Sequence, residues 1–344
     1  MGMGRYLSAA IALILIFSAG CLDQEHLEKI GSPAENHIVP ADCGMLEVHV
    51  LNVSQADAIL IITPSNKTIL IDSGSAMKKD SASKAVDYLK NMGIKRIDYL
   101  IATHYHEDHI GGMESIASSF DIGEIYHNGD CGDYKSAVAG RFVNLTASHD
   151  STVVVSDMDL PADPCLAQER LIVAYDRPEG CWPSGSDTSN ENENSILFRM
   201  VYGNTSFLFA GDCEAGCEQE LIRQGTFLRS DVLKVGHHGS ETSSSDKFLD
   251  AVSAERYVIS TDRTRSVIDG YFHPRQESLS RIYAHGGWEE TYRTDLEGDI
   301  SVLSDGRSIT VLEGAKADDC GIFSGFSSAQ SSSYGRIPGL FGKC

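Results

Sequence analysis

The stretch THYHEDHIGG, residues 103–112, places three histidines and two acidic side chains within six positions, directly after an apolar run. If that run is a buried strand, His104 and His106 continue its alternation and their imidazoles point to the same side. Asp108 and His109 follow where the chain turns. Four such side chains would repel one another and be costly to desolvate unless a cation compensates them. The stretch therefore predicts a metal site, and imidazole and carboxylate groups without thiolate suit Zn²⁺, Mn²⁺ or iron.

Side chains of the same types end other predicted strands. Asp72 follows the apolar run in KTILIDSG, Asp212 ends FLFAGD, and His237 and His238 follow DVLKVG. Because such ends meet where strands share a sheet edge, these loops are expected to converge with the histidine motif on one site.

The residues between and behind the motif's ligands are expected to be structural. Gly111 and Gly112 are expected to let the backbone bend tightly and lie close to whatever the side chains hold. Tyr105 and Glu107 are expected only to fill alternating positions and to face solvent.

The strands and helices that must position these side chains form two similar series along the chain. Apolar runs predict strands in MLEVHVL, AILIIT and KTILIDSG, and again in ILFRMVY, FLFAGD, DVLKVG and RYVIST, before a closing hairpin. Helical spacing predicts helices at 81–92, 113–120, 214–224, 245–252 and 276–284. Residues 128–192 are weakly patterned and are predicted as two or three strands with long, disulfide-pinned loops. The sequence therefore predicts an α/β fold of four layers, an αββα sandwich of two mixed β-sheets flanked by helices.

The N-terminus has the composition of a signal peptide. Arg5 precedes the apolar run Leu7–Phe17, which is too short to cross a bilayer, since a spanning helix takes about 20 residues. The small residues before Cys21 resemble a lipoprotein signal, whereas the alternative is ordinary cleavage near Ala19 with an unmodified cysteine. The protein is therefore expected to be exported to the extracellular face of the membrane, with a lipid at Cys21 as its only membrane anchor.

These features divide the chain into four parts. Residues 1–20 are the predicted signal peptide, and the polar residues 21–44 are a tether. Residues 45–314 form the predicted folded domain, and residues 315–344 are a Ser/Gly-rich tail.

Cysteine content and charge narrow the classes of function. Of the nine cysteines, eight remain if Cys21 is lipidated, an even set suited to disulfides in an oxidising compartment. Cys213 and Cys217 are expected to be disulfide partners rather than metal ligands, because no CxxC motif accompanies them. The net charge of −21, without a basic stripe, argues against a surface for duplex nucleic acid. A small anionic substrate stays compatible with this charge, because a bound metal supplies local positive charge.

Residues 46–312 resemble a metallo-β-lactamase-fold hydrolase, in particular the branch related to the hydrolase-like domain of the competence protein ComEC. The matching stretches are LNVSQADAILI, ILIDSG, THYHEDHIGG, NENSILFRM, FLFAGD, KVGHHGS, YFHP and YRTDLEGDISVLSDG. The resemblance implies the four-layer fold and two divalent metal ions, Zn²⁺ or Mn²⁺. The chain departs from that branch in VSQAD, where Ser54 and Ala56 replace two glycines and are expected to narrow backbone freedom, while Asp57 is retained.

Carried over by position, the resemblance implies a role for each motif residue. One metal would take His104 and His106, and the second would take Asp108 and His109. Asp212 would bridge the two ions.

The resemblance also implies partners for these ligands. One of His237 and His238 would complete the second site, and the sequence leaves open which. Asp72 is expected to orient ligand histidines rather than bind metal. The family often has a further histidine before the bridging aspartate, and this chain has Asn194 in that region instead. Asn194 is therefore expected to face the first metal or the substrate, which leaves the first site one ligand short.

The implied chemistry is hydrolysis. Two such ions lower the pKa of a bridging water from ~15.7 toward ~7 and polarise the bond that it attacks. The resemblance favours a phosphodiester substrate, with Asp108 in a catalytic as well as a ligand role. Ser240, His273 and whichever of His237 and His238 is not a ligand would steady the substrate or protonate the leaving group. His273 is equally typical of a structural histidine. The alternatives are hydrolysis of a carboxylic ester, lactone or amide, and a non-catalytic surface-binding protein that keeps the fold.

Overall fold

The structure is a computed structural model that describes residues 39–78, 80–129, 136–161, 163–175, 191–262 and 273–314. The predicted signal peptide with Cys21, the first part of the predicted tether and the predicted tail lie outside these residues. Their assignments therefore stay predictions. Among the helices within the described ranges, none has both the length and the apolar character needed to cross a membrane.

The first sheet is built from eight strands: β1 (Leu46–Val50), β2 (Ile59–Ile62), β3 (Thr68–Ile71), β4 (Arg96–Ala102), β5 (Asp121–His127), β6 (Thr152–Val154), β14 (Ile300–Ser304) and β15 (Ile309–Glu313). Their order across the sheet is β15-β14-β1-β2-β3-β4-β5-β6. Neighbours from β3 to β6 are parallel, and the other pairs are antiparallel. The carboxyl ends of β3 and β4 therefore lie at the same edge of this sheet.

The second sheet has seven strands: β7 (Met158–Asp159), β8 (Gln168–Val173), β9 (Ile196–Tyr202), β10 (Thr205–Phe209), β11 (Val232–Lys234), β12 (Arg256–Ile259) and β13 (Thr291–Arg293). They follow the order β13-β12-β11-β10-β9-β8-β7. The strands from β10 to β13 are parallel, so the loops after β10, β11 and β12 also leave the sheet at one edge.

Helices cover the outer faces of both sheets, as the clusters of buried side chains show. Beside the first sheet lie α1 (Ser81–Asn91), α2 (Glu107–Ile110), α3 (Met113–Ser119) and α4 (Ala137–Ser148). Beside the second lie α5 (Ala215–Gln224), α6 (Asp246–Val252) and α7 (Gln276–Ala284), and the short α8 (Thr294–Glu297) follows β13. This is the predicted αββα sandwich of two mixed sheets, and the prediction of the fold is confirmed.

Alternation along the strands sorts their side chains into layers. In β3, Ile69 and Ile71 face the core between the sheets, whereas Leu70 packs in the cluster that contains the helices. From the second sheet, Phe198 and Phe207 enter the same central core. Each such side chain contributes about 1.5–3 kcal/mol when it is fully buried. The two sheets therefore pack into one unit, which fixes the loops at its edge.

The structure corrects one prediction about secondary structure. Within residues 128–192 it has the short strands that were expected, but residues 137–148 form helix α4. Ser136 caps this helix by accepting a hydrogen bond from the Ala139 amide, and Ala139, Phe142 and Thr146 form its buried face. The prediction of strands and loops alone was wrong here because Gly140 and several β-branched residues weaken the helical pattern.

The last residues of the predicted tether are attached to the domain. A disulfide joins Cys43 to Cys165 across 122 residues of sequence. The Tyr202 hydroxyl donates a hydrogen bond to the Gly44 carbonyl at 2.7 Å, and Val39 packs against the central core. Residues 39–44 of the predicted tether therefore belong to the folded domain.

Candidate metal centre

Four loops bring the predicted side chains together at the carboxyl ends of strands. Asp72 follows β3, residues 103–109 follow β4, Asp212 follows β10, and the two histidines at 237 and 238 follow β11. The pairs β3/β4 and β10/β11 are each parallel, and the sheets pack face to face, so these loops share one edge of the sandwich. The convergence predicted from the sequence is present in the structure.

One group of possible metal ligands is formed by His104, His106 and Asp212. Each offers one ligand atom, and these atoms lie within 4.8 Å of one another. His104 Nε2 is 3.0 Å from His106 Nδ1 and 3.8 Å from Asp212 Oδ2. This is the arrangement expected for the first ion.

A second group is formed by Asp108, His109 and His238, whose ligand atoms also lie within 4.8 Å of one another. His238 Nε2 is 3.7 Å from Asp108 Oδ2 and 3.9 Å from Asp212 Oδ1. His109 Nε2 is 3.3 Å from Asp212 Oδ2. Asp212 thus has Oδ2 near His104 and His109 and Oδ1 near His238, so its carboxylate lies between the two groups.

The donor atoms fit a divalent ion. His109 Nε2, His238 Nε2 and Asp212 Oδ1 are buried without a hydrogen-bond partner in the described part of the chain. Buried polar atoms in native proteins almost always have a partner, so three orphans at one point need an explanation. Ligand atoms about 2.0–2.2 Å from a shared ion lie roughly 3.3–3.6 Å apart in tetrahedral coordination. The separations described above are close to this range, and imidazole with carboxylate is a donor set for Zn²⁺ or Mn²⁺.

Asp72 orients His109 rather than joining a ligand group. His109 Nδ1 donates to Asp72 Oδ2 at 2.7 Å, so Nε2 is the ring nitrogen that faces the site. The Thr103 hydroxyl donates to the same carboxylate oxygen at 2.8 Å, and the Thr103 amide donates to Asp72 Oδ1 at 2.9 Å. Because that hydroxyl proton is committed, the Thr103 oxygen accepts from His104 Nδ1 at 3.1 Å, which leaves His104 Nε2 free for a metal.

The charges of the site set the protonation of its members. Burial lowers the pKa of His104 well below its ordinary value, and the neighbouring His109 and His106 lower it further. Burial would also lower the pKa of His109, but Asp212 and Asp72 outweigh it and hold that pKa well above the ordinary value. For Asp212, burial raises the pKa, and the surrounding histidines reverse the effect and hold it well below the ordinary value. Asp212 is therefore a carboxylate, the form that binds metal.

His238, and not His237, belongs to the second ligand group. His238 Nδ1 donates to the Ser260 carbonyl at 3.0 Å, which fixes the ring with Nε2 toward Asp108 and Asp212. His237 Nδ1 donates to Glu214 Oε1 at 2.8 Å, and its Nε2 lies 3.7 Å from Asp212 Oδ2. His237 stands beside the centre with 24% of its side chain exposed, in none of the ligand groups that the described residues form.

A strained backbone conformation sets the directions of the His237 and His238 rings. His237 and His238 have φ of 46° and 52°, and Gly239 follows at 80°, so three consecutive residues are left-handed. Such conformations cost of order 1–3 kcal/mol for each non-glycine residue and are typical of functional sites. The turn is held by hydrogen bonds from the His237 amide to the Gly211 carbonyl and from the Arg275 amide to the Gly239 carbonyl.

Two other predicted residues lie near His237. The ring of His273 is 5.3 Å from that of His237, and its Nδ1 is buried with no partner among the described residues. Burial, together with the charges of His238 and His237, lowers the pKa of His273 to about 3, so its imidazole is neutral. Ser240 Oγ lies 2.8 Å from the Thr242 hydroxyl, which donates to Glu214 Oε1 at 2.6 Å. Ser240 therefore reaches the site through Glu214.

Asn194 is buried but joins none of the ligand groups found among the described residues. Its main-chain carbonyl accepts from Asn128 Nδ2 at 3.0 Å. The amide of Asn192 instead reaches the pair beside the centre, since its Nδ2 is 3.2 Å from Glu214 Oε1 and 3.3 Å from His237 Nδ1.

Gly111 and Gly112 do not form the tight bend that was expected of them. Gly111 and Gly112 have ordinary right-handed φ of −60° and −90°. They are glycines because a Cβ would lie 2.4 Å from the Ala76 nitrogen and 2.2 Å from the Ser73 carbonyl oxygen, where two backbones cross.

Tyr105 and Glu107 are structural anchors, not solvent-facing fillers. Tyr105 is buried, and its hydroxyl is 2.8 Å from His127 Nδ1. The Glu107 carboxylate accepts from the Ser75 hydroxyl and, at 2.7 Å, from the Met77 amide. Glu107 therefore ties the loop after β3 to the histidine motif.

Sequence reasoning gave no role to three residues of this region, namely Asp57, Lys234 and Glu214. Asp57 is 1% exposed and pairs with Lys234, whose Nζ lies 2.8 Å from Asp57 Oδ2. Glu214 orients His237, as described above. A lysine inside the apolar strand DVLKVG was the available signal, because a buried lysine needs a carboxylate partner.

The chain is similar in sequence to known proteins over most of its length. The sequence model of the family described as "Metallo-beta-lactamase superfamily" matches residues 51–261. ComE operon protein 3 of Bacillus subtilis is 25% identical over 268 residues, which are 74% of this chain and 32% of that protein. Competence protein ComA of Neisseria gonorrhoeae is 30% identical over 252 residues, 73% of this chain and 31% of that protein. The chain thus spans about a third of the length of these curated relatives.

Solved structures include similar chains at low sequence identity. One is Tm1679, described as a metal-dependent hydrolase of the beta-lactamase superfamily, at 13% identity and a TM-score of 0.48. The match covers 79% of this chain and 100% of that one.

Proposed function

The protein belongs to the metallo-beta-lactamase superfamily, and from this premise we propose that it is a binuclear metallohydrolase that cleaves a phosphodiester. It is a metal-dependent hydrolase of that superfamily; the substrate class, the metals and the residue roles are our proposal. The observation that carries the proposal is the position of Asp212 between the two groups of possible ligands, within 4 Å of His104 in the first and of His109 and His238 in the second.

We assign the first ion to His104, His106 and Asp212, and the second to Asp108, His109, Asp212 and His238, with Zn²⁺ or Mn²⁺ as the metal. Bound there, such ions supply a hydroxide at neutral pH and polarise the target bond. The neutral His104 and the ionised Asp212 are in the protonation states that this assignment needs.

His237 is the residue best placed to contact the substrate. Glu214 holds its Nδ1, its Nε2 faces the bridging Asp212, and its ring is partly exposed. We propose that it donates a hydrogen bond or a proton to the leaving group. Ser240 supports it through Thr242 and Glu214, and the ring of the neutral His273 packs beside it.

The phosphodiester is favoured over an ester because of charge. Two divalent ions can share the negative charge that accumulates on phosphate oxygens. Lys78 adds a cation beside the centre, with Nζ 3.6 Å from Asp108 Oδ2 and 27% of its side chain exposed. The net charge of −21 would repel a long polyanion, so we propose a small anionic substrate rather than a duplex.

We also propose that the protein is exported and is held at the membrane by a lipid at Cys21. Disulfides Cys43–Cys165 and Cys213–Cys217 support an oxidising compartment. The second also supports the expectation that these two cysteines are disulfide partners and not metal thiolates.

Metal analysis combined with turnover tests the proposal. The purified protein is reconstituted with Zn²⁺ or Mn²⁺, its metal is counted by mass spectrometry, and cleavage of bis(p-nitrophenyl) phosphate is compared with cleavage of p-nitrophenyl acetate. We expect two equivalents of metal, turnover of the phosphodiester, and a loss of at least about 10²-fold in Asp108→Ala. Asp121→Ala, which removes a carboxylate from the exposed start of β5, serves as the matched control.

Two results would count against the proposal. A wild type that binds no metal after reconstitution would remove the enzyme assignment. Two bound equivalents with cleavage of the acetate ester alone would leave the fold and metals intact and remove the phosphodiester.

A further inference from the structure

We propose that Asp57 is an additional ligand of the second metal ion, held in place by the buried Lys234. The inference rests on the proposed function, because it concerns a metal that the same centre would bind. Asp57 lies in the loop between β1 and β2, outside the histidine motif and outside the other loops assigned to the centre.

The first observation is the position of the carboxylate. Asp57, His109 and Asp212 each offer a ligand atom, and these atoms lie within 4.8 Å of one another. All three residues are buried, and two of them already belong to the proposed second site or bridge to it. An ion held by His109 and Asp212 would therefore lie within reach of the Asp57 carboxylate.

The second observation is an oxygen without a partner. Asp57 Oδ2 accepts from Lys234 Nζ at 2.8 Å, whereas Oδ1 is buried without a hydrogen-bond partner among the described residues. The nearest described ring nitrogen is His238 Nδ1 at 3.6 Å, but its proton goes to the Ser260 carbonyl at 3.0 Å. A carboxylate oxygen that is buried and unpaired is costly unless a cation is bound to it.

The third observation is how the residue is held. The Asp57 amide donates to the Asp108 carbonyl at 3.1 Å, and the Asp57 carbonyl accepts from the Gly74 amide at 2.7 Å. The backbone of Asp57 is therefore tied to the loops that follow β3 and β4. Lys234 reaches the carboxylate from β11 in the other sheet and also donates to the Val235 carbonyl at 3.2 Å.

The buried ion pair between Asp57 and Lys234 is not explained by a gain in folding stability. Burying two charges costs several kcal/mol of desolvation, roughly the amount that their attraction returns, and an apolar pair is often as stable. The lysine binds Oδ2 and leaves Oδ1 unpaired, so it holds the carboxylate in place and leaves one oxygen for a metal. With Asp57 the second site would have three carboxylates and two imidazoles.

Metal binding by a double variant, compared with a control variant, tests the inference. Asp57→Asn alone would leave Lys234 buried and unpaired, so the test uses the double variant Asp57→Asn/Lys234→Met, which removes both charges together. Zn²⁺ affinity is measured by competition with a chromophoric chelator, and the number of equivalents by mass spectrometry. Glu169→Gln, which changes another buried carboxylate outside all three ligand groups, is the control.

We expect the wild type and Glu169→Gln to bind two equivalents alike, and the double variant to bind the second equivalent about 10–100-fold more weakly. Wild-type affinity for the second equivalent in a folded double variant would overturn the inference and leave a purely structural ion pair. Absence of metal from the wild type would instead overturn the proposed function.

If the double variant does not fold, the single variant Lys234→Met tests whether Asp57 is a metal ligand. In this variant the metal is the remaining counter-charge of Asp57, so adding Zn²⁺ should raise the melting temperature by more than it does in the wild type. An equal or smaller rise would contradict the role of Asp57 as a ligand.

Discussion

Replacing Asp72 with asparagine tests how the protein orients its metal-facing histidines. The carboxylate accepts three hydrogen bonds, from His109 Nδ1 at 2.7 Å and from the hydroxyl and amide of Thr103 at 2.8 and 2.9 Å. Asparagine keeps only one of the two oxygens, so it cannot accept all three. Asparagine is preferred to alanine because Asp72 has φ of 57°, a left-handed conformation that asparagine tolerates.

Asp72→Asn is expected to lower both the stability of the fold and the affinity for metal. A buried donor without an acceptor costs about 1–3 kcal/mol, which should lower the free energy of unfolding of the metal-free protein. Loss of the carboxylate that orients a metal-bound histidine weakens metal binding about 10–100-fold. That range is about 1.4–2.8 kcal/mol of binding free energy. Because His109 belongs to the second ligand group, one of the two equivalents should be affected first.

The assay is a Zn²⁺ titration against a competing chelator, with chemical denaturation of the metal-free protein alongside. Asp98→Asn is the matched control, because Asp98 Oδ2 accepts from the Thr68 amide at 2.9 Å and from its hydroxyl at 3.2 Å. Asp98 lies in none of the ligand groups of the described residues, so its replacement should leave metal affinity unchanged. Wild-type metal affinity in Asp72→Asn, or an equal loss in the control, would refute the reasoning.

Three further predictions concern stability. Ser54 has φ of 69° where the resembling branch has glycine, so Ser54→Gly should stabilise the protein by about 0.5–1 kcal/mol in urea denaturation, and a destabilised variant would contradict this. Replacing Cys43 and Cys165 with serine should cost about 2–5 kcal/mol, because their disulfide closes a loop of 122 residues; an unchanged denaturation midpoint would show that the bond constrains little. Burial raises the pKa of Glu169 from 4.5 to about 7, although the Asp163 amide opposes the shift by hydrogen bonding. The folded state therefore binds this proton more tightly, and the stability due to it is full below pH 4.5 and lost as the pH rises through about 7. Glu169→Gln should accordingly gain about 3 kcal/mol relative to the wild type between pH 4.5 and 8, and parallel pH profiles would disprove the shift.

The fold and most of the ligand set were predictable from local patterns. The apolar run in KTILIDSG predicted the strand β3, and helical spacing predicted the helix at 276–284 with the bounds that the structure has. Helix α4 was missed because its periodicity is weak and its stability comes from packing Phe142 against the first sheet's outer cluster.

The details of the centre depended on contacts that no local pattern records. His237 and His238 are adjacent and chemically identical, and only the left-handed turn decides which of them faces Asp108. The reason for Gly111 and Gly112 is likewise a crossing of two chain segments, not a feature of their own sequence.

The sequence by itself determined which types of donor atoms are present and that they follow strands of one α/β sandwich. It could do so because ligand spacing and hydrophobic period are properties of neighbouring residues. Only the tertiary structure decided that Asp57 and Lys234, 177 positions apart, form an ion pair beside the metal centre. Contacts of that kind form when two sheets pack, and the free energy that selects them belongs to the packed core and not to either segment.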